Sequence, residues 1–207
     1  MTMITAHGGA GGTGRNSAEY FSAVESGGIV CDAVEVDIWG KPGCLYLSHA
    51  PSLFKRRKIK LEYAFELAKQ LNLKINCDIK KPSLFLPVLN AAKKCGVTQH
   101  VYFTGATKPR HVKFLDECEI YANESFYKRH ANRRDPQAIK AYIDSFKNPR
   151  LRGININYKR VTHGFILRCV KLGLGVSVYF ADTLPAIQFL MQAGVQNITT
   201  DAPQFAQ

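Results

Sequence analysis

The strongest constraint on the fold of this chain is the order in which two kinds of segment follow each other. Short apolar or alternating runs, typical of β-strands, recur about eight times, and a segment with helical periodicity follows most of them after a short loop. This order predicts a parallel sheet with helical crossovers. We predict an α/β fold, a (β/α)8 TIM barrel forming one domain over residues 1–207, with a doubly wound open sheet as the alternative.

The same patterns give the approximate bounds of the elements. The predicted strands cover residues 1–6, 30–38, 45–49, 73–79, 101–104, 119–122, 153–157, 175–180 and 197–200. The predicted helices cover residues 18–25, 61–71, 83–94, 109–115, 136–146, 162–172 and 184–193. Asn16 or Ser17 is the expected cap of the first helix. Gly-Lys-Pro-Gly at 40–43 predicts the turn of a hairpin between the second and third strands.

Residues 34–38, Val-Glu-Val-Asp-Ile, alternate between apolar and acidic side chains. Successive side chains of a strand point to opposite faces, so Glu35 and Asp37 share one face and the apolar side chains share the other. Two neighbouring carboxylates inside a domain repel each other, and burial of either one without a partner is very unfavourable. The pattern therefore indicates either a solvent-exposed face or a site for a cation, which would be a metal ion, a lysine or an arginine.

Further ionisable side chains fall at the carboxyl-terminal ends of the predicted strands. His7 ends the first strand, His49 ends the hairpin, and Asp78 and Lys80 close the next core strand. In a barrel these strand ends form one rim, which is where active sites are built. Together with the two acidic residues of the second strand, this rim would hold three carboxylates, two histidines and a lysine.

Such a set is suited to phosphate chemistry with a metal ion. Carboxylates offer hard oxygen ligands to Mg²⁺ or Ca²⁺, two histidines can divide general base and general acid work, and a lysine can contact a phosphate oxygen. Tyr102, Asn123 and Asn155, at later strand positions, are further candidates for lining the pocket. The glycine-rich loop at 8–14 lacks the Lys-Ser/Thr pair of a P-loop, so we interpret it as a connection.

The order and spacing of these motifs resemble the glycerophosphodiester phosphodiesterase family over essentially the whole chain. The segments that carry the resemblance are Ala6-His7-Gly8-Gly9, Glu35-Val36-Asp37, Ser48-His49, Asn76-Cys77-Asp78-Ile79-Lys80, the strand and loop at 176–182, and the closing run at 194–203. The two-histidine and Glu-x-Asp spacing is the most specific part of this pattern.

The resemblance implies a (β/α)8 barrel that cleaves a phosphodiester to a phosphomonoester and an alcohol. It implies one divalent metal ion, Mg²⁺ or Ca²⁺, and the ligands it implies are Glu35, Asp37 and Asp78. His7 and His49 are implied as the catalytic acid and base. Lys80 is implied as a phosphate contact, and Tyr179 stands where the family usually has an aromatic residue, so we assign both to substrate binding.

Several departures from the family pattern bear on the site. Gly8 stands where the family usually has a phosphate-binding arginine, and Arg15, Lys41 or the basic linker at 55–58 would have to replace it. Asp78 is one methylene shorter than the usual glutamate ligand. Ala50 replaces the usual aspartate after the second histidine, and the segment inserted there in relatives is very short. The missing arginine and the aspartate in place of glutamate also resemble the pattern of the sphingomyelinase D-like phospholipases.

Composition restricts the partners and the location. Lys and Arg outnumber Asp and Glu by 28 to 16, and the net charge of +12 would attract anionic substrates or an anionic membrane surface. We expect a small-molecule phosphodiester substrate and no specific nucleic-acid partner, since no reading motif is evident. The six scattered cysteines, with no secretory signal and no long apolar span, predict a reduced cytoplasmic protein.

Two alternative functions stay open at this point. A phospholipase D-like lyase or transferase would act on a larger lipid head group, use a substrate hydroxyl as the nucleophile and release a cyclic phosphate. A non-catalytic module that binds phosphate or lipid would keep its binding when His7 and His49 are mutated. We favour the phosphodiesterase because the catalytic set is complete.

Overall fold

The computed structural model describes residues 1–51, 58–127, 134–145 and 151–206, and within them nine strands are connected mostly by six α-helices. The strands are β1 (Met3–Ala6), β2 (Ala33–Lys41), β3 (Cys44–Leu47), β4 (Lys74–Ile79), β5 (Val101–Gly105), β6 (Glu119–Asn123), β7 (Leu151–Asn157), β8 (Gly175–Tyr179) and β9 (Asn197–Thr200). The α-helices are α1 (Ala18–Glu25), α2 (Leu61–Gln70), α3 (Phe85–Cys95), α4 (Pro136–Asp144), α5 (His163–Lys171) and α6 (Leu184–Gln192).

Parallel pairing of β1 with β2 closes the sheet into a barrel. Within the described ranges, eight parallel strands follow one another around the ring, and β9 returns to pair with β1. Strand β3 lies outside the ring and forms an antiparallel hairpin with β2, with Trp39 opposite Tyr46. The predicted (β/α)8 barrel is therefore confirmed, and the open-sheet alternative is wrong.

The crossover from β5 to β6 differs from its prediction as an ordinary helix. It is a six-residue 3₁₀ helix, Pro109–Phe114, whose start is closed tightly because the Lys108 amide donates to His111 Nδ1 at 3.1 Å. The predicted helix at 136–146 ends at Asp144 as α4, and its last predicted residue lies outside the described ranges. The basic residues at 55–57, 128–129 and 133 also lie outside them.

The outer faces of the strands and the inner faces of the helices form the apolar core. Val34, Val36 and Ile38, the apolar face predicted for β2, are fully buried in it. Burial of this layer supplies most of the favourable free energy of folding. No helix in the described part of the chain is long and apolar enough to cross a membrane.

The interior of the barrel is polar and hydrogen-bonded. Thr5 Oγ1 donates to Asn197 Oδ1 at 2.6 Å, Asn197 Nδ2 donates to Ser177 Oγ at 2.8 Å, and Ser177 Oγ donates to Asn155 Oδ1 at 2.8 Å. All four side chains are buried, so this network satisfies groups that would otherwise be costly to enclose. It leads along the barrel interior to Asn155, which lines a cavity at the carboxyl-terminal ends of the strands.

Candidate active site

Three carboxylates from β2 and β4 converge at the carboxyl-terminal end of the barrel. Glu35, Asp37 and Asp78 each offer one oxygen, and these oxygens lie within 4.8 Å of one another. The sheet register produces this cluster because Asp37 pairs directly with Asp78 across the two parallel strands. The predicted acidic face of β2 is therefore turned into the barrel, and the exposed-face interpretation is wrong: Glu35 and Asp37 are buried.

Two asparagines hold the carboxylates of β2 in place. The side-chain amide of Asn16 makes two hydrogen bonds with Asp37. Its Nδ2 donates to Asp37 Oδ2 at 2.8 Å, and its Oδ1 accepts a hydrogen bond from the Asp37 backbone amide at 2.9 Å. Asn76 Nδ2 donates to Glu35 Oε2 at 2.7 Å. Of the two candidate caps of α1, Ser17 accepts the Tyr20 amide, which leaves Asn16 free for the site.

Asp78 keeps one oxygen without a hydrogen-bond partner among the described residues, although this oxygen, Oδ1, is buried. Such a buried acceptor is costly unless a cation or a donor faces it. Gly105 makes room for it, because a Cβ built there would lie only 1.9 Å from Asp78 Oδ1. The cluster of hard oxygen donors and this unsatisfied acceptor fit a divalent cation such as Mg²⁺ or Ca²⁺.

Lys80 neutralises part of the carboxylate charge. Its Nζ contacts Asp37 Oδ1 and lies 2.5 Å from Asp78 Oδ2. Burial of Lys80 disfavours its charged form, but the two carboxylates outweigh this and raise its pKa above the ordinary range. For Asp37, burial opposes ionisation, yet Lys80, Asn16 and His49 together lower its pKa.

The surroundings of Glu35 disfavour its ionised form. Burial and the nearby Asp78 charge raise the pKa of Glu35 to about 8, and His7 and Lys80 offset this only in part. Lys80 and His7 therefore do not make the ionised form of Glu35 favourable at neutral pH. A further cation among these oxygens would favour the ionised form of Glu35.

His7, at the end of β1, is buried between two acidic groups. Its Nδ1 lies 2.7 Å from Asp201 Oδ1, and its Nε2 lies 3.5 Å from Glu35 Oε1. Burial lowers the pKa of His7, but the hydrogen bond with Asp201 and the charge of Glu35 outweigh it, so the pKa is raised overall. The aspartate–histidine pair fixes the orientation of the imidazole ring.

Arg15 determines the tautomer of this histidine. Its Nη1 lies 2.8 Å from His7 Nε2. A guanidinium only donates hydrogen bonds, so Nε2 is the acceptor and the ring proton resides on Nδ1, from which it is donated to Asp201. The basic lone pair of His7 thus points towards the carboxylate cluster.

His49 lies beside Asp37 in the carboxylate cluster. It follows the β2–β3 hairpin, and the Ser48 amide donates to the Asp37 carbonyl at 2.9 Å. The imidazole Nδ1 lies 3.4 Å from Asp37 Oδ2, and 58% of the side chain is exposed. One histidine is therefore buried beside the carboxylates and the other reaches them from the solvent.

These groups line one cavity of about 210 Å³. Its remaining walls are polar or aromatic and are formed by Thr104, Asn123, Asn155, Tyr179 and Phe180. A second cavity of about 390 Å³ shares Asn123, Lys80 and Tyr179 with the first and extends towards Glu124 and Ser125. The two together offer space for a small substrate with a group extending past Tyr179.

All of the predicted catalytic, metal-binding and substrate-binding residues lie at this end of the barrel, together with two of the three further candidates for lining the pocket. The three carboxylates, both histidines, Lys80 and Tyr179 line the same cavity, and so do the candidates Asn123 and Asn155. The candidate Tyr102 is wrong: its hydroxyl is 2.9 Å from Thr5 Oγ1, and it lines the cavity of about 890 Å³ at the opposite end. Tyr102 is the second residue of β5 and so lies near the amino-terminal end of that strand.

Sequence reasoning missed several residues of the site. Asp201 follows the last strand, so the strand-end rule that found Asp78 would also have found it. Phe180 was predicted as the end of a strand, but its φ of +63° ends β8 at Tyr179. Its ring meets the His7 ring edge-on at 5.0 Å. No sequence signal identified Gly105, and Asn16 was visible only as a candidate helix cap.

Comparison with known proteins finds the fold but no close relative in sequence. No protein-family model matches the chain, and a search of curated proteins found no significant match. A provisionally assigned glycerophosphoryl diester phosphodiesterase from Agrobacterium tumefaciens has a similar structure, with a TM-score of 0.80 at 16% identity over 100% of this chain and 96% of that chain.

Two further solved structures share the barrel. A glycerophosphodiester phosphodiesterase from Parabacteroides distasonis gives a TM-score of 0.75 at 16% identity, covering 98% of this chain and 94% of that chain. A phosphodiesterase from Oleispira antarctica was solved with the product sn-glycerol-3-phosphate. It gives a TM-score of 0.73 at 16% identity, covering 99% of this chain and 94% of that chain. At such identity the likeness establishes the fold of nearly the whole chain.

Proposed function

We propose that this protein is a metal-dependent phosphodiesterase that hydrolyses glycerophosphodiesters to sn-glycerol 3-phosphate and an alcohol. The observation that carries the proposal is the buried carboxylate cluster with an unpartnered Asp78 oxygen, flanked by His7 and His49. The structural likeness to phosphodiesterases, one of them solved with sn-glycerol-3-phosphate, supports this substrate class. The assignment of roles to individual residues is part of the proposal.

Glu35, Asp37 and Asp78 would hold one divalent ion, Mg²⁺ or Ca²⁺. When bound, such an ion supplies positive charge that stabilises the negative charge developing on the phosphoryl oxygens. Asn16 and Asn76 keep two of the carboxylates oriented, so little reorganisation is needed. Lys80 holds Asp37 and Asp78 together and presents positive charge to the substrate phosphate.

His7 and His49 would divide the proton transfers. His7 lines the cavity with its Nε2 on the side of Glu35, and Asp201 stabilises positive charge on this imidazole when it takes up a proton. The side chain of His49 is 58% exposed and therefore in contact with solvent. One histidine deprotonates the attacking hydroxyl group and the other protonates the departing alkoxide, while Tyr179 lines the path of the leaving group.

The decisive assay is hydrolysis of glycerophosphocholine and glycerophosphoethanolamine with EDTA, Mg²⁺ or Ca²⁺. We expect metal-dependent release of sn-glycerol 3-phosphate that is lost in His7→Ala and His49→Ala. His163→Ala, on the surface helix α5, is the matched control and should retain activity. Glu35→Gln, which keeps the shape but removes the charge, should weaken metal binding and abolish turnover.

The other outcomes separate the alternatives. A cyclic phosphate product from lysolipids would favour the lyase or transferase. Binding of phosphate or anionic vesicles that survives both histidine substitutions, without turnover of any substrate, would favour the binding module. Full activity of Glu35→Gln would contradict the metal site. The net charge of +12 would steer an anionic substrate, so kcat/KM should fall as ionic strength rises.

A further inference from the structure

Arg15 occupies a position in the site that the acid/base chemistry leaves unexplained. Its guanidinium lies on His7 Nε2, its Nη2 is 3.9 Å from Asp201 Oδ2, and 40% of the side chain is exposed. Lys80, the other cation at the carboxylates, is already shared between two of them. Arg15 is therefore the more available of these two cations for a bound anion.

The loop after β1 is built to place this arginine. Asn16 is anchored to Asp37 by two hydrogen bonds, which fixes the chain directly after Arg15. Gly9 lets the stem of Arg15 pass, since a Cβ built at Gly9 would lie 3.0 Å from Arg15 Cγ. A Cβ built at Gly8 would lie 3.3 Å from the Glu35 carbonyl oxygen, so the loop passes close to β2 at this position. The glycines predicted to form a simple connection thus serve the site.

A guanidinium on an imidazole nitrogen is a weak resting contact. Nη1 also lies 3.3 Å from His7 Nδ1, so the group rests across the edge of the ring and not on a single acceptor. Bidentate, charge-assisted hydrogen bonds to a phosphate are stronger than a hydrogen bond to a neutral ring. A phosphate anion entering the cavity would therefore compete successfully for Arg15.

We propose that Arg15 binds the nonbridging oxygens of the substrate phosphate, and that its movement from the resting contact uncovers His7 Nε2. This proposal rests on the proposed function. It assigns to a loop residue seven positions after Gly8 the phosphate contact that Gly8 cannot make. Phosphate binding and exposure of the histidine lone pair then occur in one step, so the base is uncovered only when substrate is present.

The test compares Arg15→Gln, Arg15→Lys and the control Arg168→Gln. Arg168 on α5 is exposed and pairs with Asp135, so its substitution removes the same charge away from the site. The readouts are kcat and KM for glycerophosphocholine, and calorimetric binding of sn-glycerol 3-phosphate and inorganic phosphate to the Mg²⁺-loaded protein. We expect Arg15→Gln to weaken phosphate binding and kcat/KM by roughly 10- to 100-fold. Arg15→Lys should recover part of both, and Arg168→Gln should stay within about twofold.

The outcomes separate this proposal from the proposed function. One outcome is that the unsubstituted protein turns over substrate and Arg15→Gln has the same kinetics and the same phosphate affinity. This outcome would overturn the role of Arg15 and leave the proposed phosphodiesterase activity standing. A lower kcat with unchanged phosphate affinity would also overturn it, because Arg15 would then only position His7. A higher kcat in Arg15→Gln would show an inhibitory contact and overturn it as well. Phosphate binding that depends on Arg15, without turnover, would support the phosphate site and contradict the proposed function.

Discussion

At the scale of single residues, the site depends on backbone conformations that few side chains tolerate. Asn16, Gly105 and Phe180 all have positive φ, of +50°, +75° and +63°. Two of them are not glycine, and such strained residues tend to concentrate where the structure fixes a functional geometry. Each contacts a different part of the site: Asn16 contacts Asp37, Gly105 borders Asp78, and Phe180 meets His7.

Gly105→Ala should disable the site and also destabilise the surrounding strand ends, because its Cβ would meet a backbone atom as well as Asp78. Its Cβ would collide with Asp78 Oδ1 at 1.9 Å and with the Ile79 carbonyl at 2.6 Å, so Asp78 has to move. We expect kcat/KM to fall by about 100-fold, as for other displacements of a site group by about 1 Å. The measurement is steady-state hydrolysis of glycerophosphocholine.

Gly173→Ala is the matched control for this substitution. Gly173 has a φ of +67°, but nothing lies within 4 Å of a Cβ built there. Both variants should lose roughly 1–2 kcal/mol of unfolding free energy from the left-handed conformation, and Gly105→Ala should lose more because its Cβ also meets the Ile79 carbonyl. Equal activity of the two variants would contradict the role given to Gly105.

Substitutions of Phe180 separate the effect of its backbone conformation on stability from the effect of its ring on activity. We expect Phe180→Gly to be more stable than Phe180→Ala by roughly 1 kcal/mol, because only alanine keeps a Cβ at a φ of +63°. Both variants lose the ring against His7, so both should have a kcat reduced several-fold. Urea denaturation measures the stabilities, and the assay above measures kcat. Two variants of equal stability would show that Phe180 is not strained, and unchanged kcat would show that its ring does not position His7.

At the scale of elements, the sequence predicted best what depends on local period. The alternation in β2 identified both its apolar face and the shared face of Glu35 and Asp37, because the two-residue repeat of a strand is a local property. Pairing with β3 lengthened β2 to Lys41, and the contact of Tyr46 with Trp39 was not readable from either strand alone. Neighbouring strands therefore decided where elements ended.

The 3₁₀ helix Pro109–Phe114 supplies a pH-dependent prediction. His111 is buried, stacks on Phe85 with ring centroids 4.3 Å apart, and accepts the Lys108 amide on Nδ1. Burial lowers its pKa to about 4, helped by the Arg110 and Lys108 charges. The unfolded chain therefore binds more protons between pH 6.5 and about 4, and stability contributed by neutral His111 is lost as the pH falls through this window.

His111→Gln should remove this contribution. In urea denaturation at pH 7, 5.5 and 4.5, the unsubstituted protein should lose more unfolding free energy than the variant, by at most about 3 kcal/mol. Carboxylates titrate equally in both proteins, so the difference between them isolates the histidine. Parallel pH profiles would contradict a buried neutral His111.

At the scale of the whole molecule, the buried carboxylates of the site reduce the stability of the barrel. Glu35, Asp37 and Asp78 are enclosed together with Lys80, and the raised pKa of Glu35 reflects its burial first and the nearby Asp78 charge second. Burial of charge without full compensation is unfavourable, so the fold tolerates this cluster through the apolar layer outside the strands. A cation bound there should stabilise the folded state.

Metal should raise the melting temperature in a carboxylate-dependent way. At a Mg²⁺ concentration of 100 times Kd, mass action gives roughly 2.7 kcal/mol, or several degrees for a domain of this size. Glu35→Gln should lose most of this shift. Without metal its stability at neutral pH should be close to that of the unsubstituted protein, because a pKa of about 8 leaves Glu35 largely protonated there. Glu66→Gln, on the exposed face of α2, is the control. An equal Mg²⁺ shift in Glu35→Gln would place the metal elsewhere.

The sequence by itself determined the barrel class and which side chains share the rim. Those conclusions follow from period-two strands, helical periodicity and the rule that parallel strands end at one edge, all of which act over a few residues. Asp78 and Lys80 could be assigned to the site with Glu35 because their strands had the same direction. The resemblance of motifs then suggested the chemistry of phosphodiester cleavage.

Only the tertiary structure decided how the charges are arranged. His7 and Asp201 are 194 residues apart and meet because β9 closes the ring beside β1. Arg15 lies on His7 because Asn16 is tied to a strand 21 positions later in the chain. Such contacts depend on ring closure and on loop geometry, which no local periodicity encodes. For this reason the candidate metal ligands, and Arg15 as one of three candidates to replace the missing arginine, could be proposed from the sequence, whereas the contact between Arg15 and His7 was visible only in the folded chain.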